Sequence, residues 1–176
     1  TSGIVLFAKT DKALSRLNQK MRERAITKIY HAVISGQLPA DEGVLCHNLK
    51  HARLHAEIAE DGKPAQLRYK VLKQADGLNL VEVDLETGRY HQIRIQLAAV
   101  GCPVLGDERY GGQAYKPGAV ALHHRRMRFS HPVTGVELDL EDPEEQWGGG
   151  TLEVRARRVL ELFAQLDPFT GRTLKL

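Results

Sequence analysis

The sequence predicts an α+β fold: a mixed, mainly antiparallel sheet with flanking helices and loops. Three observations lead there. Leu67, Tyr69 and Val71 alternate, Asp76-Gly77 supplies a turn, and Val81, Val83 and Leu85 alternate after it. That is a hairpin between half-buried strands. Helical spacing recurs in separate places, at Ala13, Leu14, Leu17 and Met21 and again at Ile93, Leu97 and Val100. Strands with interspersed helices, joined by hairpins, make an α+β arrangement.

Taken in order, Ile4-Val5-Leu6-Phe7-Ala8 is a continuous apolar run and predicts a buried strand. Thr10 or Asp11 can cap the helix that follows, and Lys12, Arg16, Lys20, Arg22 and Arg24 crowd the same segment. Lys28 to Ser35 is rich in β-branched residues and ends at Gly36, which predicts a strand. Residues 37–64 are polar and irregular, with turn residues at Pro39, Asp41-Glu42-Gly43 and Asp61-Gly62. After the central hairpin, Thr87-Gly88-Arg89 breaks the strand. The second helix should end at Gly101 in a left-handed conformation, with Pro103 preventing its continuation. A glycine-rich loop from Gly106 to Gly118, a strand around Ala119 to Leu122 and a hairpin through His131-Pro132 to Leu140 complete the unit. Gly148-Gly149-Gly150 reads as a linker, and Leu152 to Leu166 as a docked terminal helix. The expected division is therefore a domain over 1–143 and an extension over 144–176.

Composition narrows the class. With 176 residues, 42% hydrophobic and 27% charged, the chain can bury a core and is not a disordered segment. A net charge of +3 permits a nucleic-acid partner without requiring one, so the placement of charge matters more. Two cysteines, Cys46 and Cys102, lie far apart and read as ordinary small core residues of a reduced, cytoplasmic protein. No apolar run approaches membrane-spanning length.

Two basic clusters stand out: 12–28, and His123-His124-Arg125-Arg126 with Arg128. Either alone reads as a solvated face. Together, with only Asp11 and Glu23 among them, they favour phosphate contact. His47, His51 and His55 are four apart and would stack on a helix as zinc ligands. That segment has no apolar stripe and no His-Glu-x-x-His, so a structural role is the better reading. The glycine-rich loop lacks the lysine of a nucleotide-binding P-loop. Thr87-Gly88-Arg89-Tyr90-His91-Gln92-Ile93-Arg94 instead gathers donors at the start of a helix, a natural anion platform.

These motifs resemble the RluA family of RNA pseudouridine synthases. The family's catalytic loop ends His-Arg-Leu-Asp-x-x-Thr-Ser-Gly before an apolar strand and Ala-Lys, and this chain opens on Thr1-Ser2-Gly3 and reaches Ala8-Lys9. Lys28-Ile29-Tyr30-His31-Ala32 resembles the family's Lys-x-Tyr-x-Ala. Gly62-Lys63-Pro64-Ala65 resembles its Gly-Lys-x-Ala, with Leu67 where threonine is usual. Thr87 to Arg94 resembles Thr-Gly-Arg-x-His-Gln-Ile-Arg, with Tyr90 where threonine or serine is common. Gly101 to Asp107 with Tyr110-Gly111 fits the next motif, and Leu122-His123 and Phe129-Ser130-His131-Pro132 fit the last.

The resemblance implies a pseudouridine synthase-like fold and the isomerisation of uridine in ribosomal or transfer RNA. It implies no cofactor, no metal and no membrane. Tyr30 would lie against the uracil, and Arg94 would pair with the catalytic aspartate. Arg16, Lys20, Lys28, Arg89, Tyr90, His91, Gln92, Arg125 and Arg126 would contact RNA. The aspartate falls three residues before Thr1 and is not among the 176. The polypeptide is thus expected to be a catalytic domain without its N-terminal part, inactive alone; the alternative is a non-catalytic RNA-binding homologue.

Overall fold

The computed structural model describes residues 1–75, 77–115 and 117–142. The expected linker and docked helix of the extension lie outside these residues, as does Asp76 of the expected turn.

Among the described residues, eight strands form one sheet. They are β1 (Ser2–Gly3), β2 (Thr27–Ser35), β3 (Glu42–His51), β4 (Ala56–Ile58), β5 (Lys63–Ala75), β6 (Leu78–Asp84), β7 (Leu122–Ser130) and β8 (Glu137–Glu141). The order is β1-β7-β2-β6-β5-β3-β4, with β8 also paired to β7. Every pairing is antiparallel except β1 with β7. Two helices, α1 (Asp11–Arg22) and α2 (Gln92–Ala99), and a short 3-10 turn at Glu108–Tyr110 complete the described elements.

The alternation in β5 and β6 translates directly into packing. Leu67, Tyr69, Val81 and Val83 are buried together with Ala32, Ile34 and Leu45. Ile93 and Leu97 of α2, then Cys102, Val104 and Leu105, belong to the same core. A second core gathers Ile4, Leu17 of α1, Ile26, Met127, Phe129 and Leu140. α1 begins as expected, with Thr10 extended and its Oγ1 accepting from the Ala13 amide at 3.2 Å. Of its apolar positions only Leu17 is buried, while Leu14 and Met21 are exposed.

Several expectations need correction. The run Ile4 to Ala8 is not a strand: only Ser2 and Gly3 pair, against His123 and His124. β8 occupies the same edge of β7 from Arg126 onward, so a longer β1 has no partner there. Ile4 is buried, and Val5 and Phe7 are exposed. Gly3 makes the short contact possible, because a Cβ at its φ of +103° would sit 2.4 Å from the His124 carbonyl oxygen. The irregular 37–64 segment holds β3 and β4, which pair with each other, and β3 pairs with β5. No strand covers 119–121; that strand starts at Leu122. Cys102 is buried, whereas Cys46 is exposed.

A bulge matters for the site. Ile29 faces Arg126 but Tyr30 faces His124, so Arg125 is the extra residue on β7. The offset puts His124 beside Tyr30. Phe129, 2% exposed in the second core, tests whether that core is needed. Phe129→Ala should destabilise the fold by about 3–5 kcal/mol in urea unfolding, and a loss under 1 kcal/mol would mean the second core is dispensable.

Candidate functional site

Tyr30 stands on β2 between Lys28 and Ala32. Its ring stacks on His124 at 4.3 Å between centroids and 9° between planes. Burial pushes the Tyr30 hydroxyl above its ordinary value, so it stays protonated at neutral pH. His124 is held from behind, its Nδ1 2.8 Å from the Ile4 carbonyl oxygen. That contact requires the proton on Nδ1, which leaves Nε2 a buried lone pair with no partner. Burial lowers the His124 pKa to about 4, opposed by its bond to Ile4.

Arg94 lies on α2, and its guanidinium grips Asp107 through two bonds, Nε to Oδ2 at 2.6 Å and Nη2 to Oδ1 at 2.7 Å. Asp107 is 1% exposed. It is fixed by its own backbone as well: its carbonyl accepts from the Tyr110 amide at 3.0 Å and the Gly112 amide at 2.8 Å. A side chain at Gly112 would bring a Cβ 2.1 Å from the Val104 carbonyl oxygen, so only glycine lets the loop close here. Arg94 also sits 5.1 Å from the centre of the Tyr110 ring. Tyr30 and Arg94 are not in contact through any described hydrogen bond or ring pair; they are joined through the principal core, on which Tyr30, Ile93 and Leu97 pack.

The start of α2 is built differently from a simple anion platform. His91 takes the N-cap position in a left-handed conformation, φ 52°, and its side chain caps nothing. Its ring stacks on Tyr90 at 3.9 Å, and its Nδ1 is 3.0 Å from the Tyr110 hydroxyl. Burial, then Arg94 and Arg109, push the His91 pKa down. Gln92 is 2% exposed and faces inward. Its Oε1 accepts from Thr87 Oγ1 at 2.8 Å and the Arg89 amide at 3.0 Å, and its Nε2 donates to the Gln66 carbonyl at 3.0 Å. Expected to contact RNA, Gln92 instead clamps the turn to β5. Tyr90 and Arg89 remain exposed, beside a shallow cleft of about 180 Å³ shared with Lys50, His51, Asp61 and Lys63.

The basic clusters dissolve on closer view. Lys28 is a 7% exposed strand residue whose pKa is lowered by burial against the pull of Asp84, so it is no surface cation. Arg16 donates to the Pro132 carbonyl at 2.8 Å and Lys20 to Ser130 Oγ at 2.6 Å, fastening α1 to the β7–β8 turn. Arg125 pairs with Glu141 at 2.9 Å, and Arg126 with Asp139 through bonds of 2.8 and 2.6 Å. Sequence distance hid these acids: β8 lies more than ten residues away and arrives only by antiparallel pairing. The three histidines do not share a helix either. His47 and His51 are on β3, His55 is in the turn after it, and no three metal-ligating groups converge among the described residues. Nor is any described helix long and apolar enough to cross a membrane.

Comparison with known proteins decides the family. The pattern described as RNA pseudouridylate synthase matches residues 1–99. The chain belongs to the RNA pseudouridylate synthase family. Within it, the chain is 34% identical over 161 residues to ribosomal large subunit pseudouridine synthase D of Vibrio parahaemolyticus, covering 81% of this chain and 49% of that protein. It is 33% identical over 164 residues to the Escherichia coli protein of the same name, covering 83% of this chain and 50% of the other. An uncharacterized RNA pseudouridine synthase of Bacillus subtilis, YhcT, is 34% identical over 148 residues. The chain thus spans about half the length of the curated relatives it matches. Among solved structures, human RNA pseudouridylate synthase domain containing 1 shares the fold, with a TM-score of 0.67 at 22% identity, covering 87% of this chain and 73% of that one.

For a pseudouridylate synthase domain the geometry qualifies one expectation. The fork of Arg94, expected to hold an aspartate upstream, is engaged by Asp107, with Nη1 and one Nη2 hydrogen left outside that pair. No sequence pattern signalled Asp107 as its partner. Removing the carboxylate strands a largely buried guanidinium, so Asp107→Ala should cost about 3–5 kcal/mol. Arg94→Met added to it should recover part of that loss in the same urea titration; strictly additive losses would show the two side chains to be uncoupled.

His124 generates a pH prediction. Its folded pKa of about 4 lies below the ordinary 6.5, so below pH 6.5 the unfolded chain takes up a proton that the folded chain refuses. The stability from the neutral ring is complete above pH 6.5 and is lost as pH falls towards 4. His124→Phe keeps the stack and removes the titration. Its urea midpoint should fall less than that of the parent chain between pH 7 and 4.5, and parallel curves would show that His124 does not titrate in this window.

Proposed function

We propose that this chain is the greater part of the catalytic domain of an enzyme that isomerises uridine to pseudouridine in RNA, ribosomal RNA first and transfer RNA as the alternative substrate. The supporting observation is the pose of Tyr30, a protonated phenol whose ring is clamped flat against a neutral imidazole. The reaction breaks the bond between the sugar carbon 1′ and N1, turns the base, joins carbon 1′ to carbon 5 and moves the carbon 5 proton to N1. Atoms and electrons balance within the nucleotide, so the protein need supply only a carboxylate, orientation and proton handling.

Tyr30 acts in this scheme as a neutral group that packs on uracil. Any proton it accepts from carbon 5 is matched by its own passing on, because the ionised form is disfavoured by burial. Arg94, already fixed by Asp107, offers its remaining N–H groups to the family's aspartate, and a positive neighbour keeps a carboxylate ionised. The exposed Lys12, Arg22 and Arg24 around α1, and Arg89 beside the cleft, meet phosphate; Arg16 and Lys20 hold α1 in place for that contact. Arg125 and Arg126 reach RNA only by exchanging Glu141 and Asp139 for phosphate. The setting of such an enzyme is the cytoplasm.

The 176 residues do not contain the family's aspartate, so this polypeptide should form no pseudouridine on any RNA, as read by mass spectrometry of the digested product. In a chain that includes the aspartate, Tyr30→Phe should retain RNA affinity and lose at least about 100-fold in turnover, the usual contribution of a proton-handling group. Turnover by the 176-residue chain would remove the missing-aspartate argument, and wild-type rates in Tyr30→Phe would reduce Tyr30 to a packing residue.

A further inference from the structure

We propose that Lys28 is a further catalytic residue, whose ammonium donates a hydrogen bond to a carbonyl oxygen of the uracil as the base leaves the sugar. This rests on the reading of the chain as a uridine isomerase, and it gives a role to a cation that the phosphate contacts of that reading leave out.

Placement comes first. Alternate residues of a strand point to one face. Ile34, Ala32 and Tyr30 follow one another along the face of β2 that meets the principal core. Lys28 is next in that row, about 7 Å along the strand from Tyr30. The row thus runs from apolar side chains to a phenol and then to an ammonium. Lys28 Nζ lies 3.6 Å from where a Cβ would stand at Gly88, and Met21 Cε of α1 lies 3.8 Å from the same point. Gly88 is exposed, so the turn before α2 has no side chain there to lay over the ammonium.

Lys28 is 7% exposed, yet its Nζ makes no hydrogen bond and no ion pair among the described residues. A buried cation without a partner is destabilising. Burial lowers the Lys28 pKa and Asp84 opposes the shift, but no bond joins the two groups. Arg68, which does serve a neighbouring acid, meets Glu86 at 2.5 Å. What is covered in Lys28 is the stem. His124 Nε2 and Gln96 Oε1 are sealed from solvent without partners, whereas Lys28 Nζ is not sealed. The ammonium therefore reaches open space on the Tyr30 face of the sheet, with its donors unused.

The reaction has a use for such a donor. When the bond between carbon 1′ and N1 breaks, its electron pair stays with N1 and spreads to the oxygens on carbons 2 and 4. The base is then an anion, while carbon 1′ is met by the carboxylate that the reaction requires. An N–H aimed at one of those oxygens binds the anion more tightly than the neutral base, and only such a difference raises the rate. No proton need leave Lys28. Once carbon 1′ joins carbon 5, the carbon 5 proton passes to N1 and the charge is gone.

The test is single-turnover kinetics in a chain that includes the aspartate, on whichever of a ribosomal or a transfer RNA transcript the parent modifies. Lys28→Met keeps the stem and removes the donor. At saturating RNA it should slow the rate about 100-fold, the scale of one lost donor to a developing anion, with RNA affinity unchanged. Its urea midpoint should not fall, because an unpaired buried charge gives way to an apolar chain of similar shape. In Lys28→Ala, propylammonium should restore part of the rate and saturate, and it should do nothing to the parent. Parental rates in Lys28→Met overturn the role of Lys28 alone. So does a defect confined to RNA affinity, and so does a Lys28→Ala chain that no amine rescues. A parent that modifies neither transcript overturns the role together with the isomerase reading.

Discussion

The doubly bonded pair of Arg94 and Asp107 is the contact on which the rest of the candidate site hangs. An aspartate that is 1% exposed is tolerable only with its charge matched and its oxygens bonded. Arg94 does both, with a fork that no lysine can copy. Satisfying that carboxylate fixes the rotation of α2 about its axis, since Arg94 must point at the loop while Ile93 and Leu97 enter the principal core. It fixes the loop as well, because Tyr110 and Gly112 both donate their amides to the Asp107 carbonyl. Through Tyr110 the order reaches β4, where the tyrosine hydroxyl accepts from the Ala56 amide at 2.7 Å, and back to His91. One ion pair thus ties together helix, loop and edge strand.

The second constraint is the offset on β7. With one extra residue opposite the bond between Ile29 and Tyr30, His124 is brought into line with Tyr30 instead of its neighbour. The ring can then stack flat, and β1 holds it from the other side through the Ile4 carbonyl. β1 is only two residues long, yet it places the chain that precedes Ile4 at the edge of the same ring pair.

Much of this fold was legible because periodicity and burial coincide. β5, β6 and α2 read correctly since their buried apolar residues are regularly spaced, although Asn79, Gln92 and Gln96 are buried beside them. β3 did not, because Leu45 and Leu49 are its only buried apolar positions and His47 stands between them, bonded to Gln96. The apolar run after Gly3 misled for the converse reason: hydrophobicity recorded burial of Ile4, whereas strand formation depended on whether β7 had a free edge. In the site, Tyr30 and Arg94 could be named from the motifs, but their partners His124 and Asp107 could not. Those partnerships arise from a strand offset and a loop closure, neither of which has a local pattern.

Charge was the least legible property, and the reason is tertiary. Local counting showed basic stretches with few acids, but antiparallel pairing delivers acids from elsewhere, so Arg125 and Arg126 are matched across the β7–β8 hairpin. Burial removes Lys28, and Arg16 and Lys20 are consumed by the turn that follows β7. Among the described residues, the exposed cations that no carboxylate pairs include Lys12, Arg22 and Arg24 around α1, Lys63 and Arg89 beside the tyrosine–histidine stack, and Lys70 and Lys73 on β5. Fixed cations spread over a surface attract any polyanion equally. Charge counted along the sequence is therefore a poor guide to where this domain is positive, because strand pairing and burial decide which cations stay free of a partner.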